Sequence, residues 1–205
     1  MNSIPTSSPE TGFVLETERL LLRQWRDDDY AAFTEINADP RVMEYFPNQL
    51  SPAESDELAD RCRDLIAARG WGFGALELKR SSEFIGLVGL NQPQHRLPCS
   101  PCTEIGWRLA YEHWGKGYVT EVGREALCFA FDKLLLDEVV AFATVTNKRS
   151  IAVMQRLGMT DTGRNFKHPA ITPEHPLSEH VLYSISRGDW SQQGGPIHEG
   201  ARQQR

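Results

Sequence analysis

Long apolar runs are missing from this chain of 205 residues. No stretch approaches the ~18 consecutive apolar residues of a membrane-spanning helix. Residues 1–12 are polar and rich in Ser, Pro and Thr, without the apolar core of a secretory signal. A cytoplasmic protein with no membrane partner is expected. Basic charge is also in short supply: 22 Lys and Arg stand against 28 Asp and Glu, a formal net charge of -6. Nucleic-acid binders must neutralise phosphates and are usually basic, so no nucleic-acid partner is expected. The cysteines are Cys62, Cys99, Cys102 and Cys128, too few for a disulfide-dense framework at this length. Nothing completes the P-loop pattern G-x-x-x-x-G-K-[ST] or the dinucleotide pattern G-x-G-x-x-G. Gly70, Gly72 and Gly74 alternate at the start of a predicted strand, which is the wrong place and spacing.

What is present is an ordinary globular composition, 40% hydrophobic and 24% charged, which argues against disorder throughout. One domain over residues 13–190 is expected, with flexible tails at 1–12 and 191–205. Residues 19–25 (RLLLRQW) read as a strand and Asp27-Asp28-Asp29 as a helix start, the helix ending at Asp39-Pro40. Ser51-Pro52-Ala53-Glu54 combines a capping serine, a proline at the first helical position and a capping-box glutamate. Residues 71–79 and 83–90 form a predicted hairpin, and 103–109 a further strand. A long helix over 117–135, a buried strand over 139–145 and a short helix capped by Asn147 follow. Residues 159–164 and 180–186 read as closing strands. The order predicts a mixed α/β (α+β) fold in which a strand–helix–strand unit crosses over right-handed if its strands are parallel.

The sharpest local feature is Trp114-Gly115-Lys116-Gly117-Tyr118, a glycine turn between a strand and a long helix. A helix start leaves backbone N–H groups unpaired, with positive potential from the helix dipole. Glycines let a bulky anion approach that backbone, so the turn suits a pyrophosphate. A plain turn is the competing reading. On the strand before it, alternation puts Glu104, Gly106 and Arg108 on one face and Ile105, Trp107 and Leu109 on the other. Glu104 is placed to act as a general base, directly or through water, or else is a solvated glutamate. Arg108 is a poor partner for it, four strand residues or ~13 Å away.

The run Glu104-Ile105-Gly106-Trp107-Arg108-Leu109, then Trp114-Gly115-Lys116-Gly117-Tyr118-Val119-Thr120-Glu121, resembles the acetyl-CoA signature of the GNAT superfamily. It is most similar to the branch containing the ribosomal-protein N-terminal (alanine) acetyltransferases. Asn147-Lys148-Arg149-Ser150 with Leu157-Gly158-Met159, and the opening Thr17-Glu18-Arg19-Leu20-Leu21-Leu22-Arg23, are similar to segments of the same branch. Glu112 departs from the superfamily pattern [QR]-x-x-G-x-[GA] at its first position.

The resemblance implies a central mixed, largely antiparallel sheet of about seven strands flanked by about four helices. It implies an N-acetyltransferase that takes acetyl-CoA as co-substrate, with no metal, as a monomer or homodimer. The amides from Trp114 through Gly115, Lys116, Gly117 and Tyr118 to Val119 would hold pyrophosphate. The pantetheine arm would pair with the strand at Trp107 and Leu109 like an added strand, and Asn147 would contact it. Lys116 or Lys148 would approach the adenosine phosphates, unless they are merely solvated. The family's tyrosine position is Met154 here, which leaves Ser150 or Tyr183 to protonate the leaving thiolate. Trp71 and Phe73, the loop over 166–177 with His168 and His175, and His180 at the start of the following strand are candidates to line the amine-acceptor pocket, unless the histidines are merely surface residues of a proline-stiffened loop.

Two rival readings bear on function. His95, Cys99 and Cys102 suggest zinc, but a zinc deaminase needs an upstream H-x-E, and His95 is followed by Arg96-Leu97. The second is a non-catalytic acyl-CoA sensor on the same scaffold.

Overall fold

The computed structural model describes residues 13–195. Its elements are β1 (Leu15–Glu16), β2 (Leu20–Arg23), α1 (Asp29–Ala38), α2 (Pro52–Arg69), β3 (Phe73–Leu78), β4 (Glu83–Asn91) and β5 (Glu104–Leu109). There follow α3 (Tyr118–Asp132), β6 (Glu138–Thr144), α4 (Lys148–Arg156), β7 (Thr160–Asp161), β8 (Phe166–Lys167), β9 (Glu179–Ser186) and α5 (Arg187–Gln192). Among the described residues no helix is long and apolar enough to cross a membrane.

Local chemistry explains the helix starts. The Ser51 side chain accepts from the Glu54 amide while the Glu54 carboxylate accepts from the Ser51 amide, so two orphan donors are satisfied reciprocally. Asn147 caps α4 by accepting from the Ser150 amide at 3.0 Å. In α3, Val122, Ala126, Leu127, Ala130 and Phe131 are buried, the stripe that a helix lays on a sheet.

The nine-stranded sheet runs β1-β2-β3-β4-β5-β6-β9-β7, with β8 also on β9. Every pair is antiparallel except β5–β6. One core gathers β2–β5 with α1 and α2, and a second gathers β6 and β9 with α3 and α4; Trp71 and Trp107 touch both.

The expected mixed, largely antiparallel sheet is present, with nine strands instead of seven. The two-residue strands β1 and β8 account for the difference. The strand predicted over 159–164 is cut to Thr160–Asp161, because Gly163 turns left-handed (φ 67) and its amide donates to Asp161 Oδ1. The expected boundary at 190 falls inside α5. Beyond it Gln193 Nε2 donates to the Gly158 carbonyl at 3.1 Å, so residues 191–195 fold back onto the domain. The rest of both expected tails, 1–12 and 196–205, lies outside the described residues.

Candidate active site

The sheet opens at β5. This strand pairs with β4 along its whole length, from Gly86↔Leu109 to Asn91↔Glu104, but meets β6 only at Glu104↔Val140. Successive residues of an antiparallel ladder bond to alternate sides. The Ala110 amide donates to the Ile85 carbonyl at 3.0 Å, so Gly106 and Arg108 bond toward β4. The amides of Trp107 and Leu109 therefore face the gap between β5 and β6. Trp114 Nε1 donates to the Leu109 carbonyl at 2.9 Å and closes the far end of that edge.

Trp114 also starts the glycine turn. Gly115 and Gly117 both sit left-handed, at φ 72 and 80. Gly117 is the N-cap of α3, and no side chain caps the helix, so its first amides are free to meet an anion. A Cβ built on Gly115 would have nothing within 4 Å. Arg19 stacks on the Tyr118 ring at 4.7 Å and pairs with Glu121 at 2.6 Å. Glu121 also accepts from Thr17 at 2.6 Å, so the turn entering β2 is tied to the start of α3. The open edge and the uncapped turn, joined by Trp114, fit an extended cofactor ending in a pyrophosphate.

Glu104 stands where β5 leaves β6. Asn91 Nδ2 donates to its Oε1 at 2.9 Å. Asn91 Oδ1 in turn accepts from Arg69 Nη2 at 3.2 Å. Arg69 Nε donates to the Trp71 carbonyl at 2.9 Å, and its guanidinium lies 3.8 Å over the Trp71 ring. Burial pushes the Glu104 carboxyl up to about 7, against the Asn91 bond that favours its ionised form. Its carboxyl therefore gains and loses its proton in the neutral range. Beside it, a Cβ on Gly106 would lie 3.0 Å from Phe73 Cζ, so the Phe73 ring floors this stretch of sheet.

Register carries the Glu104 face onto β6 and β9 through Val140, Phe142 and Thr144, paired with Ser184, Leu182 and His180. Here His168 and His180 lie 5.1 Å apart, packed with Phe142 and Phe166. His168 is lowered to about 4 by burial and by His180 and His95, and burial lowers His180 too. Both rings are neutral at neutral pH. His175 is separate, its Nδ1 accepting from the Leu177 amide. Cys99 and Cys102 face each other with 2.7 Å between sulfurs, and Cys102 is pushed up to about 12, by burial first. Among the described residues no group of three or more His, Cys, Asp or Glu is arranged to hold a metal.

The two candidate proton donors separate. Ser150 is half-buried in the first turn of α4, its amide held by Asn147. Tyr183 pairs with Ala141, which turns it to the face opposite Glu104, into the core with Met154. Sequence reading missed three features. Asn91 and Arg69 are visible only once β4 is registered on β5. Arg149 pairs with Glu44 and stacks on Trp114 at 4.7 Å and Tyr45 at 5.4 Å, which pins the α1–α2 loop to the gap. Arg108 meets Asn37 and Phe46, contacts that no periodicity signals.

A profile for the acetyltransferase (GNAT) domain matches residues 19–160. An uncharacterized N-acetyltransferase of Bacillus subtilis, YoaA, is 30% identical over 169 residues, covering 78% of this chain and 91% of its own. The crystal structure of an acetyltransferase from Agrobacterium tumefaciens is 26% identical with a TM-score of 0.67, over 91% of this chain and 99% of that one. The ribosomal-protein-S5-alanine acetyltransferase of Vibrio fischeri shares the fold at 18% identity and a TM-score of 0.67, over 86% of this chain and 98% of that one.

Proposed function

This chain belongs to the GNAT acetyltransferase family, and from that footing we propose that it moves an acetyl group from acetyl-CoA to a primary amine by direct transfer in a ternary complex. The observation that carries the reading is Glu104, titrating near neutrality where β5 and β6 part, beside an unpaired strand edge. Acetyl-CoA supplies an acetyl group already activated as a thioester. Trp114, Gly115, Lys116, Gly117, Tyr118 and Val119 would hold its pyrophosphate, and Trp107, Leu109 and Asn147 its arm. Glu104 takes the proton from the attacking amine. The Trp107 and Leu109 amides are the donors for charge developing on the thioester oxygen. Ser150 is the proposed proton donor to the thiolate, in preference to Tyr183 with its opposite-facing side chain. Trp71 and Phe73 on one side, and His168 and His180 on the other, would line the acceptor groove. The fold shared with a ribosomal-protein acetyltransferase makes peptide N-termini the first acceptors to try.

The deciding measurement is thiol release from acetyl-CoA over N-terminal peptides, polyamines and aminoglycosides, with calorimetry of acetyl-CoA binding alongside. Release with at least one amine is expected. Tight binding with no release across the panel would instead make the protein an acyl-CoA sensor.

Asn91 gives a second expectation. Its hydrogen bond favours the ionised Glu104, so Asn91→Ala moves the carboxyl further above its ordinary range. A hydrogen bond to a charged group is worth roughly one pH unit or slightly more. The rising limb of the pH–rate profile shifts alkaline by about that much, while the plateau rate at high pH is largely recovered. A profile that falls in height without moving would show that Asn91 has a structural role only.

A further inference from the structure

Arg23 and Arg108 end one cross-strand row, Arg23–Ala75–Leu87–Arg108, on the sheet face that carries Glu104. The arginine at the β2 end is fully matched. Arg23 is 5% exposed and bonds Asp29 at 2.7 and 2.8 Å and Glu77 at 2.7 Å. Arg108 has no carboxylate among the described residues. Its Nη1 donates to Asn37 Oδ1, and its guanidinium lies 4.2 Å over the Phe46 ring. Its Nε is buried with no partner at all. Asn37 is itself fixed, donating to Ser55 Oγ at 2.8 Å, so its oxygen is held toward Arg108.

A cation in this position weakens the fold unless something neutralises it. Burial pulls Arg108 down only to about 10, so it stays charged at neutral pH. With Nη1 taken by Asn37, the Nε–Nη2 edge remains, the two-donor fork that a carboxylate accepts side-on. Between this fork and Glu104 lies Gly106 under the Phe73 ring, along ~13 Å of strand from Cα to Cα.

Resting on the transferase reading above, we infer that the acceptor is an amine carrying a carboxylate several bonds away, as in an ω-amino acid or short peptide, and that Arg108 is the residue that selects it. The amine sits at Glu104, the linking chain runs along Phe73, and the carboxylate completes the Arg108 fork.

The test uses the full chain with CoA present and two probes, δ-aminovalerate and its neutral amide. The Nε–Hε resonance of Arg108 shifts saturably with δ-aminovalerate and not with the amide. Arg108→Gln weakens δ-aminovalerate binding by roughly 10- to 100-fold, and Arg108→Lys recovers part of it. In acetyl transfer, kcat/KM favours the acid over the amide by a similar factor in the wild type. The ratio falls to near one in Arg108→Gln, with the KM for acetyl-CoA unchanged. The glutamine variant removes an unmatched buried charge, so it melts no lower than the wild type. A resonance that ignores both probes, or follows both equally, overturns the inference. A selective shift without thiol release sustains it and overturns the transferase reading instead.

Discussion

Glu104→Gln lowers kcat by about 10²- to 10⁴-fold, the usual worth of a positioned general base, and leaves the KM for acetyl-CoA within about twofold. The glutamine keeps the shape and still accepts the hydrogen bond from Asn91 Nδ2, so only the proton acceptor is lost. Wild-type turnover rises with pH and is half-maximal near 7, where the buried carboxyl ionises. Stability moves the opposite way. The folded carboxyl titrates at about 7 and the unfolded one near ~4.3. Between those values the folded state holds the proton more tightly, so wild-type stability declines as pH rises. Below the unfolded value both states are protonated and the variant has no advantage. Above 7 it has the full advantage, because it buries no charge. The variant's melting temperature should match the wild type's near pH 4 and exceed it at pH 8. Wild-type turnover in the variant at neutral pH, or a melting difference that ignores pH, would remove Glu104 from the mechanism.

The elements that place Glu104 were largely legible in the sequence, and the partners that tune it were not. Ser51 with Glu54, and Asn147 with Ser150, act within one helical turn, so their pattern carries its own geometry. The shared face of Glu104, Gly106 and Arg108 follows from strand alternation alone. The Asn91–Glu104 bond depends on which residue of β4 lies opposite which residue of β5. A slip of one residue turns every side chain to the other face, and no local signal fixes that register. The same dependence moved Tyr183 away from Glu104, since its face is set by pairing with Ala141. The strands β1, β7 and β8 have two residues each, too few to display a period. The unmatched state of Arg108 is a statement about what does not surround it, which only coordinates supply.

Gly115→Ala should raise the KM for acetyl-CoA by about tenfold or more, while kcat at saturation changes little, because the lost contacts hold ground state and transition state alike. The backbone at Gly115 has φ 72, a conformation that costs an alanine roughly 1–2 kcal/mol, so some loss of stability is expected whatever the function. Gly163→Ala isolates that strain. Gly163 has φ 67 and, like Gly115, nothing within 4 Å of a built Cβ. Both variants should melt lower by similar amounts, and only Gly115→Ala should bind acetyl-CoA poorly in calorimetry. Equal acetyl-CoA affinity in the two variants would reduce the turn to a simple connection between strand and helix. The comparison is decisive because the added methyl meets no protein atom. If it weakens cofactor binding beyond the effect of strain, the space it fills is space the pyrophosphate requires, against amides that α3 leaves uncapped.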